Sequence, residues 1–173
     1  KNYNTYLKPP AHQRKQQPLQ QGRGGNNKIS KISLLDIGTG AGFPGLVLAT
    51  AQSQLSVTLV EPRQKRVSFL RHIIRTLGLS NVQVTDQRIE PGQGWDGTEF
   101  TFITSRAVAA ADIFLPMIEG MTTAKTVVIM MNAGDEQQRM DQRVTGWQCL
   151  EERKFFLPFS QHPRTLTLLQ KIG

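Results

Sequence analysis

Apolar residues recur along the chain in short compact runs separated by amphipathic stretches, an alternation that predicts strands joined by helices. Ile32–Ile37 is the first such run, and it ends in glycine-rich sequence as a buried strand does on entering a turn. Pro44 suits the first turn of a helix, where its missing N–H has no partner to lose, and Leu46–Ala51 continues that helix. Leu55–Val60 reads as a second strand with a β-branched bias. From Arg63 to about Leu77 the apolar positions Val67, Leu70, Ile73, Ile74 and Leu77 return on one helical face, and Gly78 supplies a stop. Asn81–Thr85 and Phe100–Thr104 read as strands, Ala110–Ile118 as a helix, Thr126–Met131 as a fifth strand and Asp135–Arg143 as a further helix. Trp147–Phe156 and Thr165–Leu169 read as two more strands, separated by Pro158, Ser160 and Pro163.

Strands alternating with helices through residue 145 predict an α/β domain, with a mainly parallel sheet covered on both faces. Two consecutive strands with no helix between them predict one antiparallel pair at an edge. Residues 1–30 depart from this pattern. They are rich in Gln, Asn, Pro, Gly and Lys, and Pro9-Pro10, Pro18 and Gly22–Gly25 interrupt any regular element. Apart from a short turn around Tyr3–Leu7, this segment has too little apolar surface to offset the entropy of ordering. The expected organisation is therefore a flexible segment at 1–30 and one domain at 31–173.

The length of 173 residues, with 38% hydrophobic, fits one domain with a sizeable core and is too short for two ordinary ones. The formal net charge of +8 looks like a property of the whole chain, but counting relocates it. Lys1, Lys8, Arg14, Lys15, Arg23, Lys28 and Lys31 fall in the first 31 residues with no acid among them. The remainder has fourteen basic and thirteen acidic residues, so the charge says little about the folded part. Cys149 is the single cysteine, which excludes an internal disulfide and any cysteine-cluster metal site, and no metal is expected. No apolar run approaches the length of a membrane span, and no signal peptide is visible. These features suit a cytoplasmic protein.

The chemistry-bearing segment is Leu34-Leu-Asp-Ile-Gly-Thr-Gly-Ala-Gly-Phe-Pro-Gly45. Gly38, Gly40 and Gly42 follow a buried strand and precede a helix, where a ligand can approach backbone amides that no Cβ shields. Three readings compete. One is a tight turn, although four glycines in eight residues exceed what a turn needs. Another is a dinucleotide site, since Gly40-Ala-Gly42-Phe-Pro-Gly45 matches G-x-G-x-x-G. The third is S-adenosylmethionine, whose methionyl part carries an ammonium and whose sulfonium is cationic. Asp36, two residues before Gly38, disfavours a pyrophosphate and suits a cation. Glu61, 23 residues after Gly38 at the end of the second strand, can accept both hydroxyls of a ribose. The pair of acids favours S-adenosylmethionine, and Phe43 either packs over the cofactor side of the loop or joins the core.

With the adjoining strand and Arg63-Gln-Lys-Arg-Val-Ser-Phe-Leu70, the Asp36–Gly45 segment resembles the bacterial 16S ribosomal RNA guanine-N7 methyltransferase G family, also called the glucose-inhibited division protein B family. Phe43-Pro44-Gly45 after the third loop glycine, Lys65-Arg66-x-x-Phe69-Leu70, and Ile103-Thr-Ser-Arg106-Ala107-Val-Ala109 carry the likeness, which covers roughly residues 32–171. The resemblance implies a class I S-adenosylmethionine-dependent methyltransferase fold: a Rossmann-like, seven-stranded, mainly parallel sheet whose last strand is antiparallel. It implies methyl transfer from S-adenosylmethionine to N7 of a guanine in 16S rRNA, with that RNA or the small ribosomal subunit as partner and a monomer as the expected state. By the same resemblance Gly38, Gly40 and Gly42 surround the methionyl part and Glu61 the ribose. Gln87, Arg88, Ile89 and Glu90 meet the adenine, partly through backbone. Arg106 lies near the opening of the active site, and Arg164 leads the last strand on the substrate side. The chain departs from the family pattern in its Pro/Gly-rich first 30 residues, where a helical segment is usual, and in Met131-Asn132-Ala133-Gly134, where Leu-Lys-Gly is common.

Guanine N7 already carries an in-plane lone pair, so the reaction needs alignment more than a strong base. Arg106, a catalytic candidate for its place at the site, suits a phosphate or guanine-O6 contact through its planar donor fork, or else a structural ion pair with Asp112 or Glu90. Arg63, Lys65, Arg66, Arg71, His72 and Arg75 cluster on the second helix, either as a solvated face or as phosphate contacts; Arg63, Lys65 and Arg66 are the substrate-binding candidates. Trp95 sits in a Gly/Asp-rich loop where an exposed ring could stack on a base, although packing is the commoner use. Trp147 is expected in the core, Phe155, Phe156 and Phe159 are expected to bury the terminal strand pair, and Cys149 reads as structural. His72 and His162 read as surface residues, and His12 belongs to the N-terminal segment. Two other functions stay open: a non-catalytic RNA-binding or ribosome-assembly protein retaining the fold, and a nicotinamide-dependent oxidoreductase, for which no hydride-transfer constellation is visible.

Overall fold

A computed structural model describes residues 32–95, 98–106, 109–133 and 144–172. The elements run β1 (Ser33–Ile37), α1 (Gly45–Ala51), β2 (Ser56–Val60), α2 (Gln64–Thr76), β3 (Val82–Thr85), β4 (Phe102–Arg106), α3 (Ala111–Ile118), a 3-10 turn (Glu119–Met121), β5 (Val127–Ala133), β6 (Trp147–Phe156) and β7 (Pro163–Lys171). The seven strands form one sheet in the order β3-β2-β1-β4-β5-β7-β6. β1 to β5 are parallel, and β7 runs antiparallel to both β5 and β6. The chain winds outward from β1 to β3 and then returns to β4 on the other side of β1. That reversal opens a crevice at the carboxyl ends of β1 and β4, where an open α/β sheet takes its ligand.

Strand alternation divides the core into two layers. Leu35, Ile37, Val60, Ile103, Val128, Met130 and Leu169 face α3 and pack with its Phe114, Leu115 and Ile118. Leu34, Val57 and Leu59 face the other way, onto Leu46 and Ala49 of α1 and Leu70 of α2. Phe114, Leu115 and Ile118 are all fully buried, which is why an eight-residue helix with Pro116 inside it holds its place.

Several boundaries move. Pro44 precedes α1 instead of occupying its first turn, and Arg63 caps α2 from outside with extended backbone. Leu77 lies past the end of α2 and is exposed, so it leaves the apolar face assigned to it. β4 spans Phe102–Arg106 and β5 Val127–Ala133, each shifted toward its carboxyl end. β7 begins at Pro163, a tolerated first position that needs no N–H for the ladder. It is also inserted between β5 and β6, so β6 forms the sheet edge.

That insertion explains the largest errors of burial. Phe155, Phe156 and Phe159 are 48%, 66% and 100% exposed, contrary to the expectation that they bury the strand pair. They sit at the end of the β6–β7 hairpin, where Phe155 pairs with Arg164 and Phe156 with Pro163, and β5 stops opposite Arg164. Cys149 is likewise exposed on the edge strand beside a bulge, so it is no core thiol. Trp147 is partly buried and packs against the α3-side core, as expected. Trp95 is partly buried and packs there too, edge-on to Phe100 at 5.7 Å between ring centres. The helix expected over 135–143, the segment 1–30 and Ala107 lie outside the described residues.

Candidate active site

Asp36 sits one residue before the end of β1, and Glu61 follows β2 directly. By alternation both lie on the face shared with Leu34 and Leu59, under the helix layer of α1 and α2. Both are buried, at 0% and 3% exposure. Buried carboxylates need donors, and the loop between them supplies these.

Asp36 Oδ2 accepts hydrogen bonds from the Thr39 hydroxyl at 2.6 Å and the Gly45 amide at 2.8 Å. One oxygen thus ties the start of the loop to the start of α1. The approach is close because residue 45 has no side chain; a Cβ there would stand 2.7 Å from that oxygen. Asp36 Oδ1, by contrast, is buried and has no partner among the described residues. Burial pushes the Asp36 carboxyl up from its ordinary value, against the opposing pull of Thr39, Gly45 and the Arg106 charge.

Glu61 does the corresponding work on the other side. Its Oε2 accepts the Gly40 amide at 3.1 Å, its Oε1 accepts the Arg63 amide at 3.0 Å, and the Arg66 guanidinium lies 3.5 Å from Oε2. The amides of Gly38 and Thr39 both donate to the Val60 carbonyl. Gly38, Gly40 and Gly42 take φ of 68°, 63° and 97°, the left-handed region that a side chain disfavours. The open side of Gly40 has only Arg66 Nη1 at 3.8 Å and Gly38 O at 4.0 Å near it. The loop is therefore a cradle of backbone with a carboxylate at either end.

Arg106 ends β4, next to β1, and is exposed. Its guanidinium carbon lies 5.9 Å from the centre of the half-exposed Phe43 ring, within range of a cation–π contact. Among the described residues it forms neither of the ion pairs considered, with Asp112 or with Glu90. Phe43 thus lies at the mouth of the loop and outside the core. Gln87–Glu90 follows β3, whose Thr85 carbonyl accepts the Glu61 amide, and Gln64 of α2 binds Asp86 at 2.7 Å. Gln87, Arg88 and Glu90 are exposed, while the Ile89 side chain is buried in the core with Phe100.

The remaining basic candidates divide. Arg63 and Lys65 point to solvent, whereas Arg66 leans over Gly40 and Glu61 and so belongs to the loop as much as to the outer helix face. Arg164 is two strands from β4 along the sheet and donates to the Pro163 carbonyl at 2.8 Å. Two contributors were missed by the sequence reading, Thr39 and Gly45. The G-x-x-G spacing after Gly42 marked the latter, since its last glycine is the one that allows close helix–strand packing.

A sheet of this order with this loop defines the Rossmann-like class I methyltransferase fold. Solved structures share it: a mutant of MtNAS in complex with S-adenosylmethionine aligns at TM-score 0.62 and 20% identity, covering 83% of this chain and 55% of that one. A SAM-dependent methyltransferase from Aquifex aeolicus aligns at TM-score 0.60 and 17% identity, over 81% and 82% of the two chains. Residues 24–167 match the family model for GidB, rRNA small subunit methyltransferase G, and the chain belongs to that family. The ribosomal RNA small subunit methyltransferase G of Desulfotalea psychrophila is 40% identical over 143 residues, covering 79% of this chain and 66% of that protein. The protein of the same name from Geobacillus sp. is 31% identical over 148 residues, covering 82% of this chain and 62% of its own length. The chain thus spans about two thirds or less of the length of these curated relatives.

Proposed function

We propose that this protein binds S-adenosylmethionine at the Asp36–Glu61 loop and transfers its methyl group to N7 of a guanine in 16S rRNA. Membership of the methyltransferase G family supports the reaction class and the RNA. The observation that carries the cofactor is the orphaned oxygen of Asp36, a buried acceptor with no partner among the described residues, at the head of a glycine cradle. It fits a cationic ligand group and would repel a pyrophosphate. Glu61, which already orients the Gly40 amide, suits ribose hydroxyls with its remaining lone pairs. Gly38, Gly40 and Gly42 leave room for the methionyl part, and Gln87–Glu90 lies on the adenine side. Phe43 and Arg106 guard the mouth.

When bound, S-adenosylmethionine supplies a methyl group on a cationic sulfur, electrophilic enough for a neutral nitrogen to attack. The chain's task is then to hold the base in line and at near-attack distance. No proton leaves N7, so neither buried carboxylate needs to act as a base. Arg106, free of a carboxylate partner among the described residues, suits a phosphate or guanine-O6 contact. A guanidinium contact to O6 alone would also orient guanine while leaving the adjacent N7 lone pair free to attack the methyl group. The natural setting is the bacterial cytoplasm, with the small ribosomal subunit or its RNA as partner.

Incubation with methyl-labelled S-adenosylmethionine and small-subunit RNA lacking the modification tests this reading. Label entering the RNA supports it. Tight RNA binding without label, at saturating cofactor, would assign the protein a non-catalytic role instead.

A further inference from the structure

The end of the β6–β7 hairpin exposes three large aromatic rings that a soluble domain would ordinarily cover. Phe159 at the tip is 100% exposed, and Phe156 and Phe155 are 66% and 48% exposed. The hairpin is an ordered feature: the Leu157 amide donates to the His162 carbonyl and the Gln161 amide to the Leu157 carbonyl, each at 3.0 Å.

Its place in the sheet gives the rings a direction. β6 ends and β7 begins at the same edge where β1, β4 and β5 end, because β7 alone runs antiparallel. This is also the edge that carries the glycine loop. Register then fixes the sides. Arg106 aligns with Met131, which aligns with Leu166; two residues along β7, Arg164 aligns with Ala133 and Phe155. Arg106, Arg164 and Phe155 are therefore on one face, the face of Asp36 and Glu61. At roughly 4.8 Å between strands, Arg164 is about 10 Å and Phe155 about 15 Å to the side of Arg106.

Charge along this path is selective. The other basic side chains of the hairpin are neutralised, Arg153 by Glu151 and Lys154 by Glu152. Arg106 and Arg164 have no carboxylate partner among the described residues. Unpaired guanidiniums alternating with exposed rings make a surface suited to a chain with phosphates and flat bases, and poorly suited to a purely apolar partner.

We infer that the Phe155–Phe159 hairpin tip, with Arg164, is a docking surface for single-stranded RNA flanking the target base, which it stacks on while the base itself reaches Arg106. This rests on the RNA-directed reading above and adds to it the surface and the strandedness of the RNA. Phe155, which shares the site's face with Arg164, and Phe159, fully exposed at the tip, carry the stacking; Arg164 contacts phosphate.

The test is a titration of the full chain with a fluorescein-labelled single-stranded RNA and the matching duplex, for the wild type, Phe155→Ala/Phe159→Ala and Phe155→Tyr/Phe159→Tyr. The expected result is preference for the single strand. The alanine pair should lose about tenfold in affinity, as for the loss of a stacked base, and the tyrosine pair should recover most of it. Cofactor affinity and melting temperature should stay at wild-type values, since neither ring belongs to the buried core. Equal RNA affinity in all three proteins would overturn the inference, as would loss of wild-type self-association in the alanine pair, which would assign the tip to a second copy. Failure of methyl transfer with intact, Phe-dependent RNA binding would sink the enzymatic reading and leave this one standing.

Discussion

Asp36 offers two substitutions that separate a folding role from a ligand role. Asp36→Ala removes the acceptor of two short hydrogen bonds, 2.6 Å from the Thr39 hydroxyl and 2.8 Å from the Gly45 amide, and leaves both donors buried. A buried donor left unsatisfied costs about 1–3 kcal/mol, so the pair should cost roughly 2–5 kcal/mol. Asp36→Asn keeps an oxygen that can accept from both donors and places its NH2 where Oδ1 now has no partner among the described residues. It also removes a desolvated charge. Its folding stability should therefore stay within about 1 kcal/mol of wild type. Cofactor affinity should fall in both, because neither retains the charge that the proposed site turns toward the cationic ligand. Urea unfolding gives the first quantity and titration calorimetry with S-adenosylmethionine the second. If Asp36→Asn unfolds as easily as Asp36→Ala, the hydrogen-bond account of the loop is wrong. If it binds the cofactor like the wild type, the charge has no role in binding.

Other expectations follow from the same geometry. In buffers above pH 3.8, the ordinary value for this carboxyl, the folded chain holds a proton on Asp36 more firmly than the unfolded chain does, because burial raises its pKa. This residue's contribution to stability should fall as pH rises through the folded-state pKa, and stability–pH curves should show that component in the wild type and not in Asp36→Asn. Gly42→Ala puts a side chain at φ 97° and a Cβ 2.7 Å from Leu46 Cγ. It should cost about 2 kcal/mol or more in chemical denaturation and weaken cofactor binding by distorting the loop. Phe114→Ala empties a fully buried site between α3 and the sheet. A loss of about 3–5 kcal/mol should lower the melting temperature by roughly 10 °C in a scanning measurement, with little change in ligand contacts.

Much of this fold can be read from the sequence because its signals are local. The runs Ile32–Ile37 and Leu55–Val60 carry apolar residues on both faces since both faces of those strands are covered, and the glycines after Ile37 mark a turn that only they can make. The hairpin failed for a nonlocal reason. Phe155 and Phe156 look like core residues in a strand, and nothing near them reveals that β7 is inserted inside β6 or that β5 ends opposite Arg164, level with Phe155. At the site, the two acids and the glycines were legible by type and spacing, whereas the partnership of Asp36 with Thr39 and Gly45 depends on how the loop closes. Arg66 shows the same limit: helical periodicity sets it among outward cations, but its length lets it return to Glu61.

The central claim is that the loop delivers a methyl group to guanine N7 in small-subunit RNA. The most direct measurement is to react the protein with isotopically labelled S-adenosylmethionine and unmodified 16S RNA or small subunits, digest the RNA to nucleosides and identify the labelled species by mass spectrometry. The account predicts label in 7-methylguanosine, arising from one nucleotide and absent without the protein. Label in any other nucleoside, or none in RNA despite measured cofactor binding, would contradict it.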